Sequence, residues 1–441
     1  MAATATATAG GNMSLSSIIV FDDMMFLCHH VSKVTNASWN GNPLHSSFSL
    51  LMFQICLMFV SSRTVRFLLK PLKQSRLVTD VIGAIILGPT VLGHSAAFTS
   101  TAFPARGTVI LRTFGILGLV YFIFIIGIKM DTKLINLSDR KILLISSTNV
   151  LLPFVATMSA HRLLSPYLTG SLAHPSVFVF VAITISLTLF PNVIHILSEL
   201  KLLNTELAQL SASCAMLNAS VGWLFIVLFI FLRERAVNPA QSIKAMACVI
   251  VIIAFIAYVY HPWATRVTRR TPNGGRVRDG YVFAIILFVP LVGICFDAIG
   301  GSMADGALFV GLATPDGPPL GSAIVEKMEA IVGEVLMPLM MLLCGLEFDL
   351  FQVQDWRTFG IVMVLLFTAY IGKLVGTLLP CLYCKMSFRS SLVFSLVMGF
   401  KGTIELFYYM WWLNEKMYSM TLSIGGKPPL VVKRKNHIAP Q

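Results

Sequence analysis

The sequence predicts an all-α membrane protein, a polytopic bundle of about eleven or twelve transmembrane helices. Three observations carry this. Of 441 residues, 56% are hydrophobic and only 12% are charged, about half the charged share of a soluble domain. Apolar runs of about twenty residues recur along the chain, each able to cross ~30 Å of hydrocarbon at ~1.5 Å per residue. Those runs also lack the two-residue alternation, and the length of about ten residues, that barrel strands show.

Residues 1–47 are different in kind, rich in Ala, Thr, Ser and Asn. Their first apolar patch, Ile18 to Leu27, is interrupted by Asp22 and Asp23, and no basic stretch precedes it. That excludes a signal-peptide pattern and predicts a loose polar tail. The membrane domain is expected over 48–412, with apolar segments at 48–69, 77–97, 108–128, 141–160, 174–197, 206–232, 241–260, 279–299, 328–346, 358–379 and 388–412. The Gly-rich stretch 302–313 reads as a tight span, a half-helix or a re-entrant piece. A short basic tail, 413–441, follows.

The net charge of +13 sits in the connections. Lys and Arg cluster in 70–76, in 129–141 and most densely in 266–278, where Arg266, Arg269, Arg270, Arg276 and Arg278 crowd one link. The positive-inside tendency places all three on the cytoplasmic face. Interrupted by spans, these charges form no continuous groove with aromatic platforms, which argues against a nucleic-acid partner. Of the eight cysteines, Cys381 and Cys384 form a CxxC. With no second pair and no ordered histidine nearby, this predicts no metal site. No cofactor motif is present.

Polar groups inside spans are costly, so they face a cavity, a partner helix or a transport path. The fifth segment carries Thr184, Ser186, Thr188, Pro191, Asn192 and His195. Proline removes a backbone donor and clashes with the preceding turn, so a break is expected near Pro191. A kink in a packed helix is the alternative for this segment alone. The sixth segment carries Ser211, Ser213, Asn218 and Ser220; an interhelical hydrogen bond is the plainer use of Asn218. Lys373 lies too deep in the tenth segment for snorkelling. In the eleventh, Lys401 stands between Gly399 and Gly402, with Glu405 four residues on. That spacing also suits a structural ion pair.

Two interrupted segments in opposite halves of the chain, each rich in buried polar groups, suit a transporter built from inverted repeats. No repeated carbonyl filter speaks for a channel. No HExxH, GxSxG or phosphate-gripping loop speaks for an enzyme.

At this point the residues resemble the plant cation/H+ exchanger family of the monovalent cation:proton antiporter-2 superfamily. The resemblance rests on DVIGAIILGPTVLG at 80–93, TLFPNVIHILSELKLLNTELAQLSASCAMLN at 188–218, GLATPDGPPLGSAIVEKME at 311–329, GLEFDL at 345–350 and GFKGTIEL at 399–406. It implies an antiporter fold with two discontinuous helices, a homodimer or a heterodimer with related exchangers, and exchange of K+ or Na+ for H+ by alternating access. The membrane would be the plasma membrane or an endomembrane.

Residue by residue, the resemblance places Thr188 and Pro191 in the unwound part of the first broken helix. It makes Asn218 the first member of an Asn–Asp pair. Lys373 becomes the base that contacts or competes with that aspartate, and Lys401 the base that offsets helix ends in the second broken helix. The aspartate itself falls at Ala219. Alanine can neither hold a cation nor release a proton, so the resemblance implies a homologue without retained coupled exchange. Glu334 and Glu405 are the candidate accessory acids. The family's last helix and soluble carboxy-terminal region have no counterpart after GFKGTIEL, which implies a shortened member. A non-transporting subunit that associates with full-length exchangers is the alternative reading.

Overall fold

In the computed structural model, the described residues are 19–21, 24–26, 44, 46–72, 74, 76–130, 139–167, 175–202, 205–237, 239–271, 277–299, 301–352, 356–402 and 405. The expected basic tail, 413–441, and the region where a further helix was sought lie outside them, as does most of the expected amino-terminal tail. Within that tail, two three-residue strands, β1 (Ile19–Phe21) and β2 (Met24–Phe26), pair antiparallel with Ile19 opposite Phe26. They are the apolar residues on either side of Asp22 and Asp23.

Among the described residues, all other regular secondary structure is helical. In chain order the helices are α1 (Ser47–Leu68), α2 (Arg76–Leu87), α3 (Ala96–Ala102), α4 (Ala105–Lys129) and α5 (Arg140–Leu164). Then come α6 (Pro175–Ser186), α7 (Phe190–Glu199), α8 (Glu206–Val237), α9 (Pro239–Phe255) and α10 (His261–Arg270). They are followed by α11 (Asp279–Ala298), α12 (Met303–Ala313), α13 (Leu320–Ile331), α14 (Met337–Glu347), α15 (Trp356–Tyr383) and α16 (Phe388–Gly399). Among the described residues, 8 helical spans are long and apolar enough to cross a membrane, and α12 and α16 are shorter apolar helices. The α6–α7 pair and the 32-residue α8 occupy the expected fifth and sixth segments. The Gly-rich 302–313 stretch is α12, an 11-residue helix packed on α4 and α11.

Helix α4 packs against α1, α11, α12, α13 and α14. From Phe114 to Ile128 it carries no charged residue, as a packed membrane helix requires, and Leu111, Leu119 and Phe124 have no exposed surface. At the periphery the opposite holds: Phe283, Leu287, Leu291 and Ile294 form an exposed stripe along one side of α11. Such a stripe suits lipid, not water. Where α2 meets α14, a Cβ added at Gly345 would stand 2.3 Å from the Ala84 carbonyl carbon. Only glycine lets these backbones approach so closely.

Four ion pairs collect at one end of the bundle on one stretch of chain. Glu329 pairs with Lys129 at 2.6 Å, Lys327 with Asp279, and Glu334 with Arg76 and, at 3.1 Å, with Arg63. The ends of α1, α2, α4 and α11 therefore converge on residues 327–334. These are the helix ends that flank the three basic connections, so the connections emerge on a common side.

Candidate functional site

Helix α6 ends at Ser186 and helix α7 starts at Phe190, leaving 187–189 without helical structure. The break thus lies just before Pro191. Pro191 is the second residue of α7, where a missing N–H costs nothing because first-turn donors have no intrahelical partner. Helix α16 likewise stops at Gly399, and residues 400–402 are non-helical. The two interruptions meet: the Thr188 hydroxyl donates to the Met398 carbonyl at 2.9 Å.

A helix that stops inside a membrane leaves its last carbonyls without partners. Two lysines solve this for α6. The Lys373 ammonium donates to the Ser186 carbonyl at 2.5 Å, and that of Lys401 to the Thr184 carbonyl at 3.3 Å and to Leu187. Lys373 is 1% exposed. Its reach follows from helix packing. On α15, Gly372 and Gly376 form a GxxxG pair against Pro153 and Thr148 of α5, and small residues at this spacing let membrane helices close up. The residues following those glycines, Lys373 and Thr377, are thereby carried into the centre.

Glu405 is buried and accepts from Asn192 and, at 3.0 Å, from the Gly402 amide. Its other oxygen lies 3.7 Å from Lys401, the i,i+4 pair anticipated from the spacing. Lys373, Lys401 and Glu405 line a cavity of about 480 Å³, otherwise walled by apolar side chains including Val81, Phe367 and Tyr370.

Asn218 and Ala219 on α8 stand apart from that lining. Gly222, one turn further on, packs against Leu187 of the first break: a Cβ there would meet the Leu187 side chain at 2.7 Å. Residue 219 shares that face. Asn218 is buried, and its amide nitrogen has no partner among the described residues. Glu334 lies elsewhere, half-exposed between Arg63 and Arg76. The structure thus gathers Thr188, Lys373, Lys401 and Glu405 at the crossing, sets Asn218 and Ala219 beside it, and leaves Glu334 out. Cys381 is buried and Cys384 half-buried, both as free thiols.

Residues 57–424 match the family described as sodium/hydrogen exchanger, transmembrane. The chain belongs to this family. Among exchangers it is similar to Cation/H(+) antiporter 15 of Arabidopsis thaliana, 33% identical over 87% of this chain and 47% of that protein. It is also similar to Cation/H(+) antiporter 17 of the same plant, 31% identical over 85% of this chain and 46% of the relative. The chain thus spans a little under half the length of these relatives. Of solved structures, it is similar to the sodium proton antiporter MjNhaP1 from Methanocaldococcus jannaschii, with a TM-score of 0.46, 15% identity, and 86% and 91% of the two chains covered.

Two residues at the crossing went unnoticed in the sequence. Asn149 of α5 donates to the Thr188 hydroxyl at 3.1 Å, and Thr377 of α15 donates to Asn149 at 2.9 Å; all three have no exposed surface. The signal for Asn149 was present: an asparagine in an apolar run, four residues before Pro153. Proline lacks the N–H that the Asn149 carbonyl would otherwise accept from.

Proposed function

We propose that this chain is a homologue of monovalent cation (K+ or Na+)/proton antiporters, built for alternating access at the crossing of 187–189 with 400–402, and that Ala219 suppresses coupled exchange. One observation carries the reading: each charge in the cavity already has a partner within the protein. The carboxyl ends of α6 and α16 each bring about half a negative charge to the crossing, and the amino end of α7 about half a positive one. Glu405 adds one negative charge, Lys373 and Lys401 two positive. The crossing is balanced to within about half a charge with no ion bound. An alkali cation entering it meets two ammonium groups and no unengaged carboxylate, so Coulomb energy opposes entry. A carboxylate at 219, on the α8 face that packs against the first break, shifts the balance by one unit. It also supplies a group stable both protonated and ionised.

The same saturation of charges favours, as a second reading, a non-transporting subunit that associates with itself or with related exchangers. Proton-coupled K+ and Na+ flux in proteoliposomes tests the first reading, comparing the unmodified chain, Ala219→Asp and Lys373→Ala. The expected outcome is no coupled flux from the unmodified chain and measurable flux from Ala219→Asp. Robust electroneutral exchange by the unmodified chain would overturn the proposal. Abolition of that exchange by Lys373→Ala would then make the lysine the proton carrier.

A further inference from the structure

We propose that Asn149 and Thr377 are positioning residues, forming with Thr188 a buried latch that holds the two helix breaks in register. The latch is a chain of three hydrogen bonds, and its polarity follows from its end. The Met398 carbonyl can only accept, so the Thr188 hydroxyl donates its single hydrogen there, at 2.9 Å. Thr188 must then accept from Asn149, which turns the asparagine's amide nitrogen toward it at 3.1 Å. The amide oxygen is left facing Thr377 at 2.9 Å. The Thr377 hydroxyl also lies 2.7 Å from the Lys373 carbonyl one turn earlier. Its one hydrogen serves either acceptor, tying the latch to the backbone that carries Lys373.

Three features separate this from ordinary helix packing. Asn149, Thr188 and Thr377 have no exposed surface, so no water replaces a lost partner. The chain joins four elements: α15, α5, the 187–189 break and the end of α16. Its footing is also unusually close, because Gly372 and Gly376 bring α15 onto α5 at the turn where Pro153 releases the Asn149 carbonyl. Removing Asn149 or Thr377 should therefore loosen both breaks together, although 188 and 398 are far apart in sequence.

Hydrogen–deuterium exchange on the purified full chain in lipid nanodiscs tests this, read at the amides of 187–190 and 398–402. Asn149→Ala and Thr377→Val are each expected to raise exchange at both breaks at least tenfold. Thr377→Ser, which keeps the hydroxyl, should restore the unmodified rates. Ile145→Ala, a turn away on α5 and equally buried, should lower the thermal midpoint without a selective rise at the breaks. Unchanged exchange at 398–402 in both Asn149→Ala and Thr377→Val would overturn the latch, as would a rise spread evenly over α4 and α11. Thr377→Val is nearly isosteric, so it reports even where Asn149→Ala fails to fold. The measurement needs no transport, so its failure is distinct from failure of the exchange reading.

Discussion

Substituting alanine at Gly376 and at Gly360, both on α15, should move stability in opposite directions. A Cβ at Gly376 would stand 2.7 Å from the Thr148 carbonyl oxygen and 3.0 Å from the Leu152 Cβ. The first is backbone and cannot rotate away. Restoring an ordinary contact of 3.4 Å requires α15 to withdraw from α5 by about 0.7 Å. The same movement stretches the 2.9 Å Thr377–Asn149 hydrogen bond to about 3.6 Å, beyond bonding distance. Overpacking costs about 1–3 kcal/mol, and the lost buried hydrogen bond about 1 kcal/mol more. At Gly360 a Cβ meets nothing within 4 Å, so alanine contributes only its better helix propensity, about 1 kcal/mol in favour of the fold. Gly372→Ala should fall between, since its nearest contact is 3.0 Å from the Pro153 Cα. Equilibrium unfolding in mixed micelles of rising dodecyl sulfate fraction ranks the three variants. If Gly376→Ala proves as stable as Gly360→Ala, the close α5–α15 approach does not hold the crossing together.

Two further outcomes follow from the ion pairs at the basic end. Asp80 is buried and accepts from Ser62 beside Arg76, so Asp80→Ala should cost about 1–3 kcal/mol in the same unfolding assay. Glu334→Ala removes a half-exposed partner of two arginines and should cost less than about 1 kcal/mol; the reverse ranking would show that Glu334 and not Asp80 anchors α1 to α2. Single cysteines placed in 70–76, 129–141 and 262–278 should react with an impermeant maleimide only from the cytoplasmic side of sealed cells, all three alike. Labelling of any one from outside would separate connections whose helix ends meet on residues 327–334.

The spans were legible because a bilayer imposes a one-dimensional rule. A helix that crosses hydrocarbon must be apolar for about twenty consecutive residues, whatever its neighbours. That rule located α1, α4, α5, α11 and α15, and the cost of burying charge singled out Lys373, Lys401 and Glu405. Their spacing also announced the Lys401–Glu405 pair. What the residues alone left open depends on which helices touch. Pro191 pointed to a break but not to 187–189, because a proline marks where a helix cannot continue inward and is equally at ease just inside a new start. Glu334 and Glu405 were equal candidates as buried acids. Packing separated them, placing one between two arginines at the basic end and the other in the cavity. The tertiary structure turns the Lys373 ammonium onto the Ser186 carbonyl, a partner that spacing alone does not name. Asn149 and Thr377, 228 residues apart in sequence, meet only because Gly372 and Gly376 allow α15 to close on α5. Hydropathy is a property each segment carries by itself. A hydrogen bond needs two partners at about 3 Å, and only the folded chain decides which two those are.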